Sequence, residues 1–191
     1  MKRRIFTAIE IPNSVKYSID AAIYETGIEK LCTIIPQENW HITLSFLGYH
    51  TEESIRILTH IHKEEIKNIS APEIKLERLA YKIDKERGNL PTMLWVELNE
   101  QSAKELGKIK KFLEGEYERY GIKWDREMRG FKGHITLSRF SHAQFLPEKL
   151  PTCTDSFIPS GITLFESHLR EEEGVRYEPL FQNCFKESNE V

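Results

Sequence analysis

His41-Ile42-Thr43-Leu44-Ser45 and His134-Ile135-Thr136-Leu137-Ser138 are one pentapeptide written twice in a chain of 191 residues. Each copy alternates polar and apolar residues, which predicts a strand with one buried and one polar face. Period two sets His41, Thr43 and Ser45 on one side and Ile42, Leu44 and Phe46 on the other, and the second copy repeats the pattern. One such string is most often an ordinary strand. Two copies in equivalent surroundings are an internal repeat.

The surroundings are indeed equivalent. Lys2 to Ile11 reads as a strand, Pro12-Asn13-Ser14 stops it, and Ser14 is placed to cap a helix to about Glu25. A short apolar run, Cys32 to Ile35, precedes the first motif strand, Trp40 to Leu47, which Gly48 ends. Thr51 caps a helix to about Asn68, with Ile55, Leu58, Ile61 and Ile66 as its apolar stripe. Ile74 to Ile83 reads as extended. Met93 to Leu98 is a strand, Asn99 caps a helix from about Gln101 to Tyr120, and Phe131 to Phe140 holds the second motif. Ile162 to Leu169 and Val175 to Leu180 read as a hairpin around Glu171-Glu172-Glu173-Gly174. Each half thus runs strand, helix, motif strand. The expected fold is α+β, with two pseudo-symmetric lobes, each an antiparallel sheet backed by helices, and a central cleft. No Gly-, Ser- or Pro-rich linker divides the chain, so residues 1–191 are expected to form a single bilobal domain.

If the pseudo-symmetry brings the polar faces together, the cleft holds two imidazoles and two hydroxyls. Imidazole titrates near neutral pH, so one ring can accept a proton while the other donates one. Phosphodiester hydrolysis needs that pair: a base for water and an acid for the leaving alkoxide. Thr43 and Thr136 can donate hydrogen bonds to phosphate oxygens as charge builds. Arg139 follows the second motif with a guanidinium suited to phosphate. Strict alternation gives it the parity of Ile135 and Leu137, so it reaches the cleft only if the strand ends or bulges near Ser138. No metal or cofactor is required by this scheme.

Composition narrows the alternatives. The net charge is −3, with 30% charged and 39% hydrophobic residues. That disfavours tight, sequence-independent binding to long duplexes, which takes many phosphate contacts. No apolar run approaches the roughly 18 residues of a membrane span, and the basic start, Met1 to Arg4, lacks the apolar stretch of a secretory signal. Cys32, Cys153 and Cys184 show no CxxC spacing and are expected to be buried thiols in a reducing, cytoplasmic setting. His60 and His62, two apart on a helix, are expected at the surface; His50, His142 and His168 lack partners at ligand spacing. Lys108, Lys110 and Lys111 read as a solvated face balanced by Glu105, Glu114 and Glu116. Phe6 and Trp40 are expected to pack in the core rather than to stack on a base.

With the paired motifs in hand, the chain resembles the two-histidine phosphoesterases, and within them the RNA 2′,3′-cyclic phosphodiesterase branch, historically called 2′-5′ RNA ligases. The resemblance covers nearly the whole chain. It includes Arg4-Ile5-Phe6-Thr7-Ala8-Ile9-Glu10-Ile11-Pro12, Pro36 to Trp40 leading into His41 to Gly48, Leu94-Trp95-Val96, His134 to Arg139, and Leu164-Phe165-Glu166-Ser167. Gly133 departs from it, standing where the branch often has proline. The resemblance implies that His41 protonates the leaving 3′ oxygen, His134 activates water, Thr43, Thr136 and Arg139 hold the phosphate, and the product is an RNA 2′-phosphomonoester. It implies a monomer acting on RNA ends that bear a 2′,3′-cyclic phosphate, with no membrane partner. Ring opening by a 5′-hydroxyl would be the reverse, ligating reaction. Two other readings stand beside it: the same chemistry on 2′,5′-oligonucleotides or a small cyclic nucleotide, and a non-catalytic RNA-end-binding module.

Overall fold

The computed structural model describes residues 1–86, 88–126, 130–140, 146–170 and 174–186. His142 and the turn residues Glu171, Glu172 and Glu173 lie outside them. The strands are β1 (Arg3–Glu10), β2 (His41–His50), β3 (Ile74–Asp84), β4 (Leu90–Leu98), β5 (His134–Arg139), β6 (Ser156–Phe157), β7 (Gly161–Arg170) and β8 (Gly174–Cys184). All pair antiparallel in one eight-stranded sheet, ordered β6-β3-β4-β5-β2-β1-β7-β8. Read outward from the seam between β5 and β2, the order is symmetric: β4 answers β1, and β3 answers β7. The α+β, antiparallel architecture expected from the repeat is present, and the two halves share one sheet, joined edge to edge along the motif strands.

Three helices cover one face: α1 (Asn13–Thr26), α2 (Glu52–Glu65) and α3 (Glu100–Arg119). Their inward stripes, among them Ile19 and Ile23, Leu58 and Ile61, and Leu106 and Leu113, belong to the same core as Ile42 and Ile135. Burial of each such side chain is worth about 1.5–3 kcal/mol. Thr51 and Asn99 cap α2 and α3 by accepting from the N–H groups of Ser54 and Ser102, as their sequence positions predict. Ser14 does not cap α1, because the helix already begins at Asn13 behind Pro12. No helix among the described residues is long and apolar enough to cross a membrane.

Several surface expectations give way to packing. His62 is fully buried: it follows Leu58 by one helical turn and stacks on Tyr117, whose hydroxyl lies 2.8 Å from its Nε2. Lys110 is buried as well, in an ion pair with Glu114. Cys184 is exposed, whereas Cys153 is buried, and all three cysteines are free thiols. β2 runs on to His50, past Gly48, whose φ of +81° suits glycine and sits at a register shift against β1. Trp40 packs in the core, its indole N–H donating to the Ile35 carbonyl at 2.7 Å.

Candidate active site

The sheet face away from the helices carries the repeated motif. β2 and β5 meet through Ile42 and Ile135, the register pair between them. Both are fully buried on the helix side. Antiparallel counting from that pair sets His41 opposite Thr136 and Thr43 opposite His134, with Cβ atoms of opposed residues about 5 Å apart. The pair joins the same position of both motifs, so a pseudo-two-fold axis passes between them. The four polar side chains ring that axis on the open face, each half-buried.

Both imidazoles are oriented in the same way. His41 Nδ1 lies 2.7 Å from the Asn39 carbonyl oxygen, and His134 Nδ1 lies 2.7 Å from that of Lys132. A carbonyl only accepts, so Nδ1 carries the proton in each ring and Nε2 is the working nitrogen. His41 Nε2 is 3.0 Å from Thr43 Oγ1.

Each motif then bulges at its leucine. β1 passes from Thr7↔Ser45 to Ala8↔Thr43, leaving Leu44 over. β4 passes from Leu94↔Ser138 to Trp95↔Thr136, leaving Leu137 over. A bulge inverts the alternation beyond it. Ser45 and Ser138 therefore turn toward the helices, contrary to simple period-two reading: Ser45 donates to Glu114 at 2.9 Å and Ser138 to the Thr33 carbonyl at 2.7 Å. The following residues, Phe46 and Arg139, swing out on the open side, where both are exposed. Arg139 thus meets the condition its parity imposed. It pairs with Met93, its Nη1 lies 3.2 Å from Met93 Sδ, and its charge is felt at His41.

Aromatic rings form the walls. His41 sits 5.0 Å from Phe6 and 5.0 Å, edge-on, from Tyr177, with Phe165 behind. Phe6, Ala8 and Phe165 form a small apolar cluster separate from the main core. Burial there pushes the His41 pKa down to about 4; the Asn39 hydrogen bond opposes the shift, and the charges of His134 and Arg139 reinforce it. Trp95 packs on His134 at 4.5 Å. A cleft of about 620 Å³ opens beside them, lined by Thr43, Phe46, Trp95, Phe131, Lys132 and His134. Of the five residues singled out from sequence, Thr43 and His134 line this cleft, the β2–β5 register sets Thr136 across from His41, and Arg139 lines the adjoining hollow. Phe46, Trp95, Phe165 and Tyr177 are additions. Trp95 had a signal in its own strand, since it shares parity with Glu97, the cross-strand partner of His134.

Two details correct the sequence reading. His168 does have partners: its Nε2 lies 3.1 Å from Glu178 and 3.5 Å from Glu166, the latter also bonded to Arg3. Gly133 is a packing choice, because a Cβ there would come within 2.6 Å of Leu98 Cδ1.

No family model matches the chain. Two curated relatives, both named RNA 2′,3′-cyclic phosphodiesterase, align over most of it. The one from Archaeoglobus fulgidus is 25% identical over 137 residues, spanning 71% of this chain and 72% of its own. The one from Methanocaldococcus jannaschii is 28% identical over 136 residues, spanning 71% and 70%. Among solved structures, that of E. coli LigT complexed with 3′-AMP shares the fold at a TM-score of 0.80 and 21% identity, covering 98% of this chain and all of that one. A duplicated His-Ile-Thr-Leu-Ser strand folded against itself on this sheet, together with those relatives, supports assignment of the chain to the two-histidine phosphoesterase superfamily.

Proposed function

We propose that the protein hydrolyses a terminal 2′,3′-cyclic phosphate on RNA to a 2′-phosphomonoester. The observation that supports this reading is the Ile42↔Ile135 pairing, which lays the two motif strands side by side. A cyclic phosphate placed there has its phosphorus between the two Nε2 atoms. His134 accepts a proton from water as the water oxygen attacks phosphorus. The bond from phosphorus to the 3′ oxygen breaks, and His41 delivers a proton to that oxygen. Thr43 and Thr136 donate to the non-bridging oxygens, and Arg139 balances their charge. The two imidazoles handle both proton transfers, so no step of this scheme calls for a metal ion.

Burial keeps His41 neutral in the free protein at pH 7. The phosphodiester anion supplies the opposite charge that the pocket lacks and favours protonation of Nε2 when substrate binds. With a 5′-hydroxyl in place of water, the same transfers form a 2′,5′ bond. The test is incubation of a short RNA ending in 2′,3′-cyclic phosphate, with and without chelator, and separation of 2′- from 3′-phosphate products. Release of the 2′-phosphate in both is the expected result. No ring opening, or a 3′-phosphate product, would refute it.

A further inference from the structure

A second hollow adjoins the cleft. It has a volume of about 640 Å³, and Lys82 and Ile83 form the wall common to both. Register places its cations. Lys82 pairs with Met93 across β3 and β4, and Met93 pairs with Arg139 across β4 and β5. Directly opposed residues project on the same side of a sheet. Lys82, Met93 and Arg139 therefore form one row on the cleft side, with the two cations' backbones about 10 Å apart. Lys85 adds a third positive charge at the hairpin turn, against the carboxylates of Asp84 and Glu86. Asp84 accepts from the Glu86 N–H at 2.9 Å, which ties it into its own turn. Among the described residues, no salt bridge engages Lys82 or Lys85.

The chain as a whole is acidic, with a net charge of −3, so this row is a local feature. It runs from Arg139, whose charge is felt at His41, by way of Met93 to Lys82 on the wall between the two hollows. A mononucleotide held at Arg139 leaves Lys82, two strands further on, to a second phosphate. Resting on the reading of the site given above, we propose that the groove takes the RNA strand upstream of the reacting nucleotide, with Lys82 holding a backbone phosphate. The preferred substrate is then an oligonucleotide, and its length is sensed outside the catalytic centre.

Binding decides this without turnover. Anisotropy of a 5′-labelled short RNA ending in 2′-phosphate is followed at several salt concentrations for wild-type, Lys82→Ala and Lys82→Arg proteins, with 2′-AMP as competitor. Lys82→Ala is expected to weaken the oligonucleotide roughly three- to tenfold and to flatten the plot of log affinity against log salt by about 0.7. Affinity for 2′-AMP should not change, and Lys82→Arg should restore the oligonucleotide. In kinetics, KM should rise for the oligonucleotide alone, with kcat kept. Equal losses on both ligands, or no loss on the oligonucleotide, would overturn the groove. Wild-type protein that binds the RNA yet opens no cyclic phosphate would overturn the catalytic reading instead, and the binding comparison would still judge Lys82.

Discussion

Ile42 lies directly across from Ile135, and this pair is the register contact that holds β2 to β5. Both side chains are buried to the last ångström of surface, while the histidines they position face the other way. The seam therefore has two measurable consequences. Ile135→Ala should cost about 2–5 kcal/mol in chemical denaturation and Ile135→Val about 1 kcal/mol. Activity of the valine variant, measured where it is fully folded, should fall more than its small stability loss explains, because the spacing of the imidazoles depends on the seam.

His41→Ala and His134→Ala should each lower kcat/KM on a cyclic-phosphate RNA about a hundred- to ten-thousandfold. Both rings are on the open face, so thermal midpoints should stay close to wild type. A loss of activity that tracks unfolding would assign the rings to the scaffold.

The pH profile should show the buried ring. The acid limb of kcat/KM reports the lower of the two free-enzyme pKa values, and desolvation holds His41 at about 4. The plateau should extend down toward pH 4, with circular dichroism verifying the fold at each point. A limb near the ordinary imidazole value of 6.5 would mean that desolvation does not depress His41.

Stability should decline on acidification for a reason remote from the site. His62, fully buried beside Tyr117, has its pKa pushed down to about 3 by desolvation. The unfolded chain takes up that proton near pH 6.5, whereas the folded chain resists it until about 3. The stabilisation is whole above pH 6.5 and drains away as pH falls from 6.5 toward 3; His41 contributes with the same sign down to about 4. Urea midpoints taken between pH 7 and pH 4 should therefore drop less steeply for His62→Gln than for wild type. Parallel slopes would acquit His62.

Behind the first motif, Ser45 donates to Glu114, and Lys110 bonds to both. Lys110→Met alone strands a half-buried carboxylate and should cost about 3 kcal/mol. Joining it with Glu114→Leu should return most of that loss, which a double-mutant cycle would measure. Additive losses would show that the three groups are uncoupled.

Much of this was legible in the sequence because repetition and alternation are local properties. The motif strands, the caps at Thr51 and Asn99, and the mirrored strand–helix–strand order follow from spacing alone. The bulges at Leu44 and Leu137 do not, since each depends on a neighbouring strand that fixes register from outside the motif. For the same reason alternation alone puts Ser45 on the wrong side, and it does not reveal the walls formed by Tyr177 and Phe165, which come from the far end of the chain. His62 is legible from spacing. It continues the spacing of Ile55 and Leu58 on α2, and only its polarity argued for the surface.

The matched bulges also put Phe46 and Arg139 at corresponding stations of the two repeats. A symmetric cradle would accept a phosphate in either sense, and the identities of acid and base could then be exchanged. An apolar ring on one flank and a cation on the other break that symmetry, and under the proposed reaction they distinguish acid from base on otherwise duplicated backbone.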